Sequence, residues 1–355
     1  PRRNNYIIHG FLRLRDSIPV FFGGMIQMRE PVFTGACPAI VTPFDQSGAI
    51  HYDRFAQLID EQIAAGVDAI CVVGTTGECS TLSLREHISA VNFCVKYVNH
   101  RVKVIAGAGS NDTSAAVYLS QHAEDSGADA LLHVTPYYNK CSQEGLIRHY
   151  EYIADRTELP IILYNVPSRT GVSFTADTYR TLSQNPKING VKEASGNLSL
   201  ITHTRYLCRD DFYIWSGNDD QVVPMMSLGA KGVISVVANI APQLMVNMTH
   251  LCLDGCFEEA SKLQITYMDL IDALFLEVNP IPVKAALGLM GRDVGGLRLP
   301  LCEISASNLE KLRAAMERAG LLRPEDLLFT AGGHTKCVAA CTSIREEVHD
   351  VPHSP

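Results

Sequence analysis

Short apolar runs rich in β-branched residues alternate along the chain with longer segments whose apolar positions recur every three or four residues. The runs fall at 37–41, 69–73, 102–106, 130–134, 161–165, 188–192, 212–216 and 232–236. Such runs predict strands, and the amphipathic segments between them predict helices. One helix start is marked by Ser83-Leu84-Arg85-Glu86, in which Ser and Glu satisfy the first free amides reciprocally. Another follows Asn111-Asp112 and stops at Gly127. Eight consecutive strand–helix units close most naturally as a (β/α)8 TIM barrel of the α/β class. The alternative, an open doubly wound sheet, wants a glycine fingerprint after the first strand, and residues 42–50 supply none. Gly107-Ala108-Gly109 lacks the third glycine and reads as a tight turn.

Beyond the eighth unit, helical patterns around 256–278, 281–290 and 306–319 predict a C-terminal helical region. The expected division is an N-terminal extension over 1–32, a catalytic barrel over 33–255, helices over 256–322 and a polar tail over 323–355. In the extension, Arg2, Arg3, Arg13 and Arg15 precede an apolar stretch from Ile18 to Gly24, yet no small-residue cleavage site follows. We read it as an upstream segment without a role, with Met28 as a candidate start.

Composition narrows the function. Of 355 residues, 46% are apolar and 19% charged, enough for a large buried core. The net charge of −8 argues against a surface built to neutralise phosphates, so no nucleic-acid partner is expected. No apolar stretch approaches the ~20 residues that span a bilayer, so no membrane association is expected either. The 11 cysteines are an odd number, and Cys71 and Cys94 sit inside apolar runs. That usage points to a reducing compartment, here the cytoplasm. The pairs Cys252/Cys256 and Cys337/Cys341 lack the clustering of a zinc site, so no metal is expected.

In a barrel of this kind the strand exits converge on one face. There the sequence gathers Gly74-Thr75-Thr76-Gly77-Glu78, Thr135-Pro136-Tyr137-Tyr138-Asn139, Tyr164 to Gly171 with Arg169, Lys192 to Asn197, and Ser216-Gly217-Asn218-Asp219. Each residue alone has a plainer reading: a solvated lysine, a core tyrosine, turn-forming threonines, a surface arginine. Together they are chemically complementary. A lysine attacks a ketone only when neutral, and at a pKa of about 10.4 only about one in 2,500 is neutral at pH 7. Desolvation and a nearby cation such as Arg169 raise that fraction. A tyrosine can move the protons that imine formation requires. Thr75 is short enough to relay between Tyr164 and a second tyrosine. Thr76 could hold one carboxylate and Arg169 another.

The Gly-Thr-Thr-Gly-Glu run, the Tyr-Asn-Val-Pro-Ser-Arg-Thr-Gly segment and the Lys-Glu-Ala-Ser-Gly-Asn segment resemble the dihydrodipicolinate synthase family of Schiff-base pyruvate aldolases. The likeness runs from about Phe33 to about Leu322, through Asn279-Pro280-Ile281-Pro282-Val283-Lys284 and Leu297-Arg298-Leu299-Pro300. It implies condensation of pyruvate with aspartate semialdehyde in diaminopimelate and lysine biosynthesis, without a cofactor. By this resemblance Lys192 forms the Schiff base, Tyr164 is the general acid/base and Thr75 the relay. Tyr138 completes the relay from a neighbouring subunit of a homotetramer. Thr76 binds the pyruvate carboxylate, Arg169 that of the semialdehyde, and Gly217 and Ile234 line the pocket. A lysine-effector cleft would be lined by Ser80, Leu84, His87, Asn111, Ala115 and Tyr137. Lysine-sensitive relatives carry histidine at the position of Leu84 and glutamate at that of Ala115. The rival readings are a related aldolase, acting on N-acetylneuraminate or keto-deoxy sugar acids, and a catalytically silent metabolite-binding barrel.

Overall fold

The computed structural model describes residues 28–322. The polar tail, most of the N-terminal extension and the Cys337/Cys341 pair lie outside them. Eight strands appear where the apolar runs predict them: β1 (Gly35–Pro38), β2 (Ala69–Val72), β3 (Lys103–Gly107), β4 (Ala130–Val134), β5 (Ile161–Asn165), β6 (Ile188–Glu193), β7 (Tyr213–Ser216) and β8 (Gly232–Ser235). Neighbouring strands pair in parallel, and β1 lies beside β8. A parallel bridge between Ala39 and Cys71, with Ile40 N–H donating to the Cys71 carbonyl at 3.0 Å, closes β1 onto β2. The sheet is a closed (β/α)8 barrel.

The helices are α1 (Tyr52–Ala64), α2 (Leu84–Val98), α3 (Thr113–Ser126), α4 (Gln143–Ala154), α5 (Pro167–Thr170), α6 (Ala176–Leu182), α7 (Leu198–Leu207), α8 (Val222–Ser227) and α9 (Pro242–Leu253). The capping box before α2 forms as expected: Ser83 accepts from Glu86 N–H while Glu86 accepts from Ser83 N–H at 2.9 Å. In the C-terminal region stand α10 (Phe257–Thr266), α11 (Met268–Ala273), α12 (Ile281–Leu289) and α13 (Ala306–Arg318). The 256–278 pattern thus divides at Tyr267, after the β-branched pair Ile265-Thr266, whose stiff side chains favour a helix weakly.

Strand alternation separates two cores. Ala69 and Cys71, Ala130 and Leu132, and Ile162 and Tyr164 fill the barrel interior with Cys37, Ile105, Trp215 and Ile234. Their neighbours Ile70, Val72, Leu131, Ile161 and Leu163 pack outward against the helices. In β6, Ile188 and Val191 both face outward although they differ in parity. A register shift reconciles them: Ile161 pairs with Ile188, but Ile162 pairs with Gly190. This bulge turns the rest of β6 by one residue, which carries Lys192 into the barrel.

Residues 28–32, placed in the extension by sequence, pack on the end of the barrel away from the strand exits. The Arg29 guanidinium donates to the carbonyls of Ile188, Asn185 and Ser183 at 2.6, 2.9 and 3.0 Å, and to Asp211 at 2.7 Å. The hydrogen bond from Arg209 foremost, with those from Arg29, holds Asp211 well below the usual carboxylate range. Above them, Phe33 stacks on Trp215 with centroids 5.3 Å apart and accepts the indole N–H at its carbonyl.

Candidate active site

Lys192 stands near the C-terminal end of β6, in register with Tyr164 of β5 and Trp215 of β7. Its Nζ lies 4.4 Å from the centroid of the Tyr164 ring. Both side chains are buried, at 6% and 7% exposure, so the amine meets the phenol in a nearly dry mouth. Gly217 closes over the lysine stem: a Cβ there would stand 3.1 Å from Lys192 Cε and 2.7 Å from Ala194 Cβ. Its N–H donates to the Glu193 carbonyl at 2.8 Å, which fixes that approach. Ile234 is fully buried on β8, opposite Cys37. Burial pushes the thiols of Cys37 and Cys71 up, the latter to about 11, so neither is a ready nucleophile beside the lysine.

Thr75 and Thr76 sit in a tight turn after β2, with Gly77 N–H donating to the Gly74 carbonyl and Glu78 N–H to that of Thr75, both at 3.0 Å. The turn is bracketed by Val73 and Glu78, both non-glycine residues in the left-handed region at φ 54° and 55°. Such backbone persists only where its surroundings over-determine it. Here the clamp is visible. The buried Glu78 carboxylate receives Lys284 Nζ at 2.8 Å and the Arg298 N–H at 3.1 Å. Lys284 also donates to the carbonyls of Thr42 and Gly296, at 3.2 and 2.6 Å. Burial lowers its pKa, against the opposing pull of Glu78. Thr75 is half-buried and Thr76 buried. The Thr76 hydroxyl accepts from Asn279 Nδ2 at 2.9 Å.

Arg169 lies on the single turn α5, exposed, with one guanidinium nitrogen donating to the Asn279 carbonyl at 3.3 Å. Lys192, Tyr164, Thr76, Arg169, Gly217 and Ile234 therefore all occupy the strand-exit end of the barrel. Tyr138 differs: it is 92% exposed, at φ 64°. Of the expected effector-cleft residues, Ser80, Leu84 and Tyr137 are exposed, and Asn111 and Ala115 are half-buried. Burial raises the Tyr137 phenol. His87 is buried, its Nε2 2.7 Å from the Gly107 carbonyl, and burial lowers its pKa.

Two residues at this end were not singled out by sequence. Asn279 touches both Thr76 and the support of Arg169. Asp219, buried at the exit of β7, accepts the amides of Val236 and Val237 at 2.9 and 3.1 Å and so ties the exits of β7 and β8. Burial raises its carboxyl. Both stand inside segments that the sequence brings forward, Asn279 at the head of a family motif and Asp219 after β7, but no local signal assigns either a role.

A model of the dihydrodipicolinate synthetase family matches residues 32–319. The chain belongs to that family. It is 48% identical over 295 residues to the 4-hydroxy-tetrahydrodipicolinate synthase of Acetivibrio thermocellus, covering 83% of this chain and all of that one. The Thermoanaerobacter pseudethanolicus synthase is 49% identical over 294 residues, covering 82% and 99%. Among solved family structures, the dihydrodipicolinate synthase of Thermotoga maritima superposes with a TM-score of 0.80 at 42% identity, over 82% of this chain and all of that one. The Cyanidioschyzon merolae enzyme, solved with lysine bound, also gives 0.80, at 41% identity and the same coverage. Membership bears out the resemblance drawn from the strand-exit motifs.

Proposed function

We propose that the protein is a 4-hydroxy-tetrahydrodipicolinate synthase acting on pyruvate and L-aspartate 4-semialdehyde. Within the family frame, the observation that carries this reading is the buried Lys192 amine against the Tyr164 ring, at a mouth flanked by Thr76 and Arg169. Lys192 Nζ adds to the pyruvate ketone while Thr76 holds the carboxylate. Tyr164, through Thr75, delivers a proton to the departing hydroxyl, so water leaves and the imine forms. Loss of a methyl proton gives the enamine, whose carbon attacks the aldehyde of the semialdehyde, held at its carboxylate by Arg169. The semialdehyde amine then displaces Lys192 from the imine carbon, which closes the ring and frees the enzyme. Gly217 and Ile234 wall the pocket, and no metal takes part in these steps.

The 92% exposure of Tyr138 suits a side chain handed to a second copy, where it would complete the proton relay. By the family resemblance we read the working form as a homotetramer built from tight dimers. A cytoplasmic setting is supported by the buried free thiols Cys37, Cys71, Cys94 and Cys252. Among the described residues no helix is long and apolar enough to cross a membrane. The barrel over 33–255 carries the catalytic groups, while helices over 256–322 brace the Gly74–Glu78 turn.

The test is borohydride reduction in the presence of pyruvate, followed by peptide mapping, with a coupled assay for turnover of the semialdehyde. The expected result is one pyruvyl adduct, on Lys192, and turnover that Lys192→Ala abolishes. Labelling elsewhere, or turnover of N-acetylneuraminate in place of the semialdehyde, would overturn the reading.

A further inference from the structure

Thr76 and Arg169 come from the exits of different strands, β2 and β5, yet one residue outside the barrel strands holds both. Asn279, in the segment between α11 and α12, donates from Nδ2 to Thr76 Oγ1 at 2.9 Å and accepts from Arg169 at its carbonyl at 3.3 Å. It is 6% exposed, and Lys284, a little further along, locks the segment against Glu78. A threonine hydroxyl has one hydrogen to give. Because Oγ1 already accepts from Asn279, that hydrogen is left to donate, and among the described residues no side chain takes it. The Asn279 Oδ1 is itself buried without a partner among the described residues.

We infer that the Asn279 side chain is the positioning group of the pyruvate carboxylate pocket, aiming the Thr76 hydroxyl as a donor, while the backbone carbonyl of the same residue supports Arg169 whatever side chain stands there. This rests on the function proposed above. It follows that affinity for pyruvate depends on the Asn279 side chain, whereas affinity for the semialdehyde does not, because the carbonyl that Arg169 reaches survives substitution. It also follows that aspartate, the isostere, is worse there than alanine. An aspartate cannot donate to Thr76, takes up its hydrogen, and sets a negative charge beside the pyruvate carboxylate site.

The experiment measures half-saturating pyruvate in borohydride labelling and the Michaelis constant for the semialdehyde, in the full-length enzyme. Asn279→Ala should raise the pyruvate constant by about fivefold, the order expected for a lost neutral hydrogen bond, and leave the semialdehyde constant within about twofold. Asn279→Asp should raise the pyruvate constant further, with labelling still complete at saturating pyruvate. Thr76→Val should move only the pyruvate constant and Arg169→Ala only the semialdehyde constant. In a Thr76→Val background, Asn279→Ala should add nothing to the pyruvate term. An aspartate variant milder than alanine, a change confined to kcat, or full additivity with Thr76→Val would overturn the inference. If Thr76→Val and Arg169→Ala leave their own constants unmoved, the assignment of the two pockets falls first and this inference with it.

Discussion

Gly217 concentrates the demands made on single residues at this mouth. It lets the exit of β7 lie against the stem of Lys192, where any Cβ would meet Cε at 3.1 Å, Cγ at 3.2 Å and the Ala194 methyl at 2.7 Å. The lysine can yield only by moving its amine, and the Ala194 Cβ has no rotamer to escape into. A misplacement of about 1 Å at a reacting atom costs on the order of 100-fold in rate. Gly217→Ala should therefore lower the rate of pyruvate labelling at Lys192 by one to two orders of magnitude, roughly, with the fold retained. Gly288→Ala, where a Cβ meets nothing within 4 Å, is the control and should label at the parental rate. Equal labelling rates in the two variants would mean that Gly217 does not shape the lysine. At this scale the sequence was informative wherever a reactive side chain followed a strand. It gave Asn279 a place in a family motif but no role, because the contact to Thr76 joins segments far apart in the chain and no periodicity records such a pairing.

Elements show the same boundary between the legible and the hidden. All eight strands fall within a residue or a few of the apolar runs, since period-two burial and flanking turns are local properties. The bulge in β6 left a trace that the sequence reading did not use: apolar Ile188 and Val191 stand three apart with Gly190 between, and without the slip Lys192 would face the helices. Nor did the capping box before α2 reveal its second use. Glu86 also receives the Arg298 guanidinium at 2.5 and 3.1 Å, and Arg298 in turn donates to the carbonyls of Gly48 and Thr81, stapling α2 to the residues after α12. The hydrogen bond from Arg298 brings the Glu86 carboxyl down to about 2. A folded pKa below the unfolded value of about 4.3 stabilises the protein above that unfolded value, and the contribution fades as pH falls toward 2. Urea midpoints of the parent and Glu86→Gln should thus differ by a constant amount from pH 7 down to about 5 and converge progressively as pH falls from there toward 2. A gap independent of pH would show that the contact stabilises through packing rather than charge.

On the scale of the whole molecule, the barrel displays a finished pocket beside an unfinished edge, and two predictions turn on that edge. Tyr138 stands exposed at the exit of β4, and the relay proposed above takes it from a second copy. Mixing Tyr138→Phe with Lys192→Ala subunits should restore activity, because one hybrid site then holds both residues; no recovery despite proven subunit exchange would leave the single chain sufficient. The neighbouring surface, with Ser80, Leu84, Asn111, Ala115 and Tyr137, is where the family resemblance puts a lysine-effector cleft. Leu84 opens α2 and is 55% exposed, an apolar wall where lysine-sensitive relatives carry histidine. Ala115, on α3, replaces the glutamate that would meet an ammonium group. The buried His87 offers little in their place, since its Nε2 already faces the Gly107 carbonyl. A lysine entering this cleft with its two ammonium groups loses a charge-assisted contact of about 1.5–3 kcal/mol, roughly a 10- to 150-fold loss of affinity. Lysine at submillimolar concentration should therefore leave the coupled assay nearly unchanged. Leu84→His with Ala115→Glu should move half-inhibition at least about tenfold lower, and strong submillimolar inhibition of the parent would show that other acidic groups serve the cleft.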